Sequence, residues 1–416
     1  MDGEERRWFL GVDWGSAEHW ARLADAGGAE LGKRRFAHSG EGLAQMAAWA
    51  LELSGAEAGQ IRVAIEVPHG PVVESLMERG FRVFSINPKQ VDRFGDRFSP
   101  AGAKDDSRDT DVLSDALRTD PQAFRELAAT PAQLVELREW SRMHADLGAE
   151  GLRLANRLRD LLWRYYPQVL KLAGDDLGAD WFLELLELAP TPRAAQRLSK
   201  DALAQLIKQH RLRRFDADQA LAVLQAEPLR LAAGAVEAAS AHVALLIPRL
   251  RLLGRQRRQI ERRIDQLTLA FADAGEASGQ PKKQRDVAIL RSSPGIGRMN
   301  LATLLAEAWE PLQRRDYHAL RCLAGVAPVT KRSGKQVIVL RRRAANQRLA
   351  NAMYHWARVA TQHDPVSRAK YAALRARGRS HGRALRTLGD RLLAVACAML
   401  EQQTEFDAER AKSKAA

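Results

Sequence analysis

The spacing of apolar residues changes along this chain, and each change marks a different architecture. Trp8-Phe-Leu-Gly-Val12 is a short apolar run closed by Asp13, and Trp20–Ala24 and Lys33–Phe36 continue as two β-like segments of a meander. Leu43 to Leu53 then places Ala47, Trp49 and Ala50 among the apolar positions of a helix. A second apolar strand, Arg62-Val-Ala-Ile65, closes on Glu66. Pro71 opens a helix to about Arg79, Gly80 ends it, and Phe81–Ile86 forms the next strand.

Three early strands followed by strands alternating with helices give the order of an RNase H-like α/β domain, expected over residues 1–125. From 126 to 275 the pattern turns helical. Trp140, Leu147, Leu154 and Leu161 repeat every seven residues, as do Leu246, Leu253, Ile260 and Leu267, with Leu250, Ile264 and Phe271 at the second heptad position. Flanked by Arg255, Arg258, Arg262 and Arg263, this stripe reads as a coiled coil, either a dimerisation arm, the favoured reading, or a helical hairpin packed within one subunit. Shorter helices are expected between Asp180 and Pro228, interrupted at Pro190 and Pro192. The breaker-rich stretch Asp273–Lys283 marks a boundary, and 284–416 is expected to be a mostly helical C-terminal domain.

Composition adds a partner class. The 416 residues carry 65 Lys+Arg against 51 Asp+Glu, a formal charge of +14, which favours phosphate backbones through counterion release. Cys322 and Cys397 are too few for a disulfide framework or a zinc site, and the ten histidines form no cluster. His69, near Glu66, reads as a loop residue because hard cations want oxygen donors. No signal peptide and no bilayer-length apolar run is present, which points to the cytoplasm.

Two regions carry chemistry. Asp13 and Glu66 each end an apolar strand. Asp106 and Asp109, in Lys104-Asp-Asp-Ser-Arg-Asp109, are three apart at a helix start and share a face. Carboxylates gathered this way repel one another unless a divalent cation sits among them, the arrangement of magnesium-dependent phosphoryl transfer. Asp105 and Asp111 lie within two residues of the chosen pair, so the register is fixed only by the Lys-x-Asp-x-x-Asp spacing. Farther on, Ser293-Pro-Gly-Ile-Gly297 resembles the turn of helix–hairpin–helix motifs, where Gly295 and Gly297 let the backbone approach a phosphate. Ser333 lies among Lys331, Arg332 and Lys335 in a turn before the β-type run Gln336–Leu340, and Gly334 allows close approach. A serine hydroxyl needs activation to act as a nucleophile, and these cations could hold a phosphodiester. Arg341, Arg342 and Arg343, with Asn346 and Arg348, read as a phosphate-facing helix start. Tyr354, His355 and Trp356 read as packing residues, and Lys370 through Arg391 as a basic helix.

With these residues in view, the chain resembles the bridge-RNA-guided DEDD transposases, or recombinases, of bacterial insertion sequences. The matching segments are Gly11-Val-Asp-Trp-Gly15, Glu66, Asn87-Pro-Lys-Gln-Val91, Lys104–Asp109, Leu323-Ala-Gly-Val-Ala-Pro328 and Arg332-Ser-Gly-Lys335. In the family a small apolar residue usually follows the fourth Asp, whereas here Thr110 and Asp111 do. The resemblance implies a RuvC-like domain whose Asp13, Glu66, Asp106 and Asp109 bind Mg²⁺. It also implies a serine, here Ser333, that forms a covalent phosphoserine with DNA. The implied partners are a guide RNA, target and donor duplex DNA, and further copies of the chain, as a dimer and, on DNA, a tetramer. Specificity is delegated to base pairing with the guide. Two other classes fit part of the pattern. A Holliday-junction resolvase with metal-activated water has no use for the serine motif, and a non-catalytic nucleic-acid binder has no use for the acidic quartet.

Overall fold

Alternation of apolar residues in the first third of the chain folds into a six-stranded mixed sheet. The strands are β1 (Trp8–Trp14), β2 (Glu18–Ala24), β3 (Glu30–Ala37), β4 (Ile61–Ile65), β5 (Arg82–Ser85) and β6 (Arg125–Glu126), in the spatial order β3-β2-β1-β4-β5-β6. β1–β2 and β2–β3 pair antiparallel, β1–β4 and β4–β5 parallel, and β5–β6 antiparallel. The computed structural model describes residues 7–95, 106–128, 131–277, 281–334 and 336–408. It divides into two units, Met1–Thr130 and Pro131–Ala416.

Helices cover both faces of the sheet in the first unit. α1 (Gly40–Ser54) is started by Ser39, whose side chain accepts from the Gly42 N–H, and is ended by Gly55 in the left-handed conformation. α2 (Pro71–Glu78) has Pro at its first turn. Met46, Ala47 and Leu76 from these two helices pack with Leu10, Val12, Val63 and Ile65. α3 (Pro88–Gly95) and α4 (Asp106–Thr119) lie on the chain after β5. On the opposite face, Val112, Leu113 and Ala116 of α4 pack with Phe9 and Ala64. The strand period of two therefore assigns Phe9, Gly11 and Asp13 to the face that α4 covers.

The second unit is mostly helical. α5 (Ala132–Tyr165) and α11 (Ala233–Ala277) are its long members. Between them lie α6 (Leu170–Ala173), α7 (Asp180–Leu188), α8 (Pro192–Ala195), α9 (Lys200–Gln209) and α10 (Ala217–Leu224). Pro248 lies inside α11 without ending it. The heptad positions expected to face a partner are buried within this chain. Leu154, Leu161, Leu246 and Leu253 form one core with α7, α9 and α10, while Ile260, Ile264 and Leu267 join Leu134 and Leu137 in another. The stripe is thus the seam of an intramolecular antiparallel pair. Heptad periodicity requires a neighbour but does not say which chain supplies it. The Phe271 side chain lies outside the described residues.

After α11 come α12 (Pro281–Ser292), α13 (Gly297–Gln313) and α14 (Tyr317–Leu323), then the hairpin β7 (Pro328–Ser333) and β8 (Gln336–Arg341). α15 (Gln347–His363), α16 (Pro365–Ala376) and α17 (His381–Gln402) complete the unit. Val287, Ile289 and Leu290 of α12 share a core with Ile260 and Ile264 of α11, so the helices on either side of 278–280 pack together. Residues 278–280 lie outside the described set. No described helix is long and apolar enough to cross a membrane.

Two histidines couple this packing to pH. His19 is fully buried, and burial, with His38 beside it, holds its pKa below the ordinary 6.5. Burial also lowers His144, although Glu261 pulls the other way. A depressed histidine binds its proton more readily in the unfolded chain. Stability from both is therefore complete above about pH 6.5 and is lost as pH falls through the lower folded values. Thermal midpoints measured from pH 7.5 down to 5.5 are expected to fall, and replacing both histidines by Asn should flatten that decline.

Candidate active site

The close approach of α4 to β1 builds the first site. A Cβ on Gly11 would lie 2.2 Å from the Thr110 carbonyl oxygen and 2.9 Å from the Ser114 nitrogen, so only glycine lets the helix backbone sit here. Thr110 and Ser114 are fully buried. Val12 pairs with Ile65 in the parallel ladder, and Asp13 and Glu66 are the next residue along each strand at that same end. Asp106 opens α4 and Asp109 lies one turn in. Asp13, Glu66 and Asp109 are each half-buried; the Asp106 side chain and the whole of Asp105 lie outside the described residues. Among the described residues no three acidic, histidine or cysteine groups form a metal cage by themselves.

Asp111 has a different environment. Its carboxylate accepts from Lys33 Nζ at 2.7 Å and lies 3.3 Å from Arg22 Nε. Arg22, only 8% exposed at its side chain, also donates to Ser114 Oγ at 2.5 Å and pairs with Glu30 at 3.2 Å. The network ties α4 to β2 and β3. Nothing in the local sequence around Arg22 marks it as buried. On the other side of Asp13, His19 Nδ1 accepts the Gly15 N–H at 3.3 Å while its Nε2 meets His38 Nδ1 at 2.9 Å, so the turn after Asp13 is braced from β2.

Gly11→Ala tests this construction. The clash is with backbone, so α4 must move off β1, at a cost of about 1–3 kcal/mol or more. The expected result is a lowered melting temperature together with loss of strand cleavage. Ala at exposed Gly40, whose Cβ would meet nothing, is the matched control.

The second site is the β7–β8 hairpin. Ser333 pairs with Gln336 at its tip, beside Gly334 at φ +53°, and is exposed. Strand alternation sets Lys331 on the same face as Ser333 and Arg332 on the opposite one. Lys335 lies outside the described residues. Val337, Ile338, Val339 and Leu340 are each 43–53% exposed, so both faces of the hairpin leave apolar side chains uncovered. A lone two-stranded hairpin is marginal in water, and this one depends on the rest of the unit for support.

The hairpin's base is anchored. The Val326 and Ala327 N–H groups donate to the Arg321 carbonyl, the Asn346 N–H donates to the Leu323 carbonyl, and Arg321 pairs with Asp390. Asn346 accepts from the Leu349 N–H as the cap of α15 and donates through Nδ2 to Glu307 at 2.7 Å. Burial alone would raise the Glu307 carboxyl, but hydrogen bonds from Arg142 and Asn346 outweigh it and hold it below the usual carboxylate range. Arg348 pairs with Asp146 and donates to the Arg142 carbonyl. Asn346 and Arg348 thus serve the fold, while Arg341 and Arg343 are exposed and Arg342 is half-buried.

Gly295 also answers a packing demand. A Cβ there would lie 2.5 Å from the Ala360 nitrogen of α15, and the Trp356 indole donates to the Pro294 carbonyl at 3.0 Å. Gly297, at φ +60°, is exposed, with nothing near its missing Cβ. Trp356 packs in the core as its sequence suggested, whereas His355 is exposed.

The regions that hold the two candidate sites fall within stretches similar to known proteins. A family model described as Transposase matches residues 10–167, and one described as Transposase IS116/IS110/IS902 family matches 287–372. A candidate transposase of Sinorhizobium fredii, y4uE, is 57% identical over 215 residues, 51% of this chain and 60% of that protein. The candidate mini-circle transposase for IS117 of Streptomyces coelicolor is 32% identical over 97% of this chain and 96% of its own length. An uncharacterised 43.6 kDa protein of insertion element IS110, from the same species, is 27% identical over 98% and 97%.

Proposed function

The chain belongs to the IS110/IS116 family of insertion-sequence transposases, and from that premise we propose that it is an RNA-guided DNA transposase working through a carboxylate site and a serine nucleophile. The observation that carries this reading is the pairing of an acidic sheet end, closed over by α4 at Gly11, with an exposed serine at the tip of a basic hairpin. The strand order β3-β2-β1-β4-β5, antiparallel and then parallel, supports an RNase H-like scaffold for the acidic end.

Asp13, Glu66, Asp106 and Asp109 are the proposed ligands. The set is all carboxylate oxygen, which fits a hard divalent cation of the magnesium type. Asp111 is held by Lys33 and Arg22, which supports Asp109 as the family's fourth acidic residue. Bound magnesium would supply charge neutralisation on the phosphate. Lys331, on the serine's face, is placed to hold a phosphoryl oxygen while the Ser333 hydroxyl attacks phosphorus. The Oγ–P bond forms as the P–O bond to the leaving sugar oxygen breaks; the serine proton leaves to solvent and the sugar oxygen takes one up.

The two centres belong to different units, and we assign the serine and the carboxylates at one phosphate to neighbouring subunits. The uncovered apolar hairpin supports this, because a partner's surface is what it lacks. With the inner heptads buried, the outward residues of α5 and α11, Leu152, Trp163 and Leu245, each 63–70% exposed, are the better candidates for subunit contact. The guide RNA is the partner implied by family resemblance and allowed by the net charge of +14. Sequencing the nucleic acid that copurifies with the protein tests this. One discrete structured RNA is expected, and heterogeneous host RNA alone would contradict RNA guidance.

A further inference from the structure

At the base of the hairpin, the end opposite Ser333, lies a pocket of about 380 Å³. It is enclosed by the turn at Ala324–Val326, the end of β8, α15 and the start of α17. Its polar lining is Arg341, Gln347, Asn351, Tyr354 and Arg386, with no carboxylate among the described residues. Neighbouring arginines have acidic partners: Arg321 has Asp390, Arg142 has Glu307 and Arg348 has Asp146. Among the described residues, Arg341, Arg383 and Arg386 have none. Burial, with the charges of Arg341 and Arg383 beside it, pushes the Arg386 guanidinium below its ordinary value.

The helix start adds to the imbalance. α17 runs 22 residues from His381, its Ser380 side chain makes no capping bond, and no acidic residue occupies its first turn. A helix N-terminus carries partial positive charge and unpaired amides, so arginines gathered there are unfavourable until an anion joins them. Gly382 lines the pocket beside Arg386. On the rim, His381 is held between the Tyr354 hydroxyl at 3.2 Å and the Tyr371 hydroxyl at 2.8 Å.

We infer that this pocket is a phosphate seat that takes one phosphodiester of a nucleic-acid strand between Arg341 and Arg386 at the start of α17. A strand fits better than free phosphate because further exposed cations lie along the same hairpin, Arg343 just past the end of β8 and Lys331 and Arg332 toward its tip on β7. The seat rests on the reading of the chain as a nucleic-acid enzyme but not on the identity of its nucleophile. Its role is to hold the strand at one end of the hairpin while Ser333 works at the other.

Binding measured on the full chain in the Ser333→Ala background tests it. The probes are a DNA duplex, the same single strand, and a structured RNA, each titrated across a salt series. Arg341→Gln/Arg386→Gln should lower the slope of log K against log salt by about one for a lost phosphate contact, for at least one probe. Asn351→Asp places a carboxylate on the lining from an exposed helix position. It should raise the thermal midpoint by relieving arginine repulsion while weakening binding of that same probe. Whichever polynucleotide shows both effects is the ligand. Unchanged slopes and affinities for all three probes in both variants overturn the inference. So does a thermal shift with inorganic phosphate that is not matched by any polynucleotide. Because no chemistry is read, a seat that fails leaves Ser333 untouched, and an inert Ser333 leaves the seat untouched.

Discussion

Asp13→Asn and Asp109→Asn are each expected to reduce DNA strand cleavage by on the order of 10³-fold or more, the scale seen when a group acting in the transition state is removed. Both residues are half-buried at the end of the sheet where α4 closes over β1. Amide replacement keeps shape and removes charge, so melting temperature and RNA binding should change little. Asp111→Asn is the informative contrast. It removes the negative charge that pairs with Lys33 and with the buried Arg22, so it should lower the melting temperature and leave the chemistry of the folded fraction intact. Gel-resolved cleavage rates and thermal melts of the three variants check both halves. Full activity in Asp13→Asn, or a purely chemical loss in Asp111→Asn, would undo the assignment.

Ser333→Ala is expected to abolish covalent attachment of DNA to protein and to give no recombinant product, with binding of RNA and DNA unchanged. Ser333 is exposed at the tip of a hairpin and makes no core contact, so its hydroxyl contributes nothing that the fold requires. Lys331→Gln should slow the same step less, because it removes a charge next to the phosphate and keeps the nucleophile. Arg332→Gln, on the opposite strand face, should act mainly on affinity. Adduct yield on denaturing gels separates these effects from binding by anisotropy.

How far the sequence could be read follows from what each pattern encodes. Period-two alternation placed Asp13 and Glu66 at strand ends, and Pro71 and Gly80 bounded α2 as expected. The heptads announced long helices correctly, but their partner proved to lie in the same chain. The Pro-Gly-Ile-Gly turn was ambiguous for a similar reason. A glycine that admits a phosphate and one that admits another helix's backbone look alike until Ala360 is seen beside Gly295. Likewise, the partners of Asp111, Lys33 and Arg22, lie some 80 to 90 residues away, beyond any local pattern. The arginine pocket draws on segments near 325, 341–354 and 382–386, and no local motif joins them.

Under the proposed mechanism, carboxylates and serine from different subunits act together on one phosphodiester. Mixing inactive Ser333→Ala with inactive Asp13→Asn, together with copurified RNA, labelled DNA and Mg²⁺, tests it most directly. Each mixed dimer retains one intact pair of centres if the site is shared. The mixture is expected to regain DNA–protein adduct, with peptide mapping placing the attachment at Ser333 of the Asp13→Asn subunit. No adduct in the mixture while wild type forms one, or an adduct that persists in Ser333→Ala alone, would contradict it.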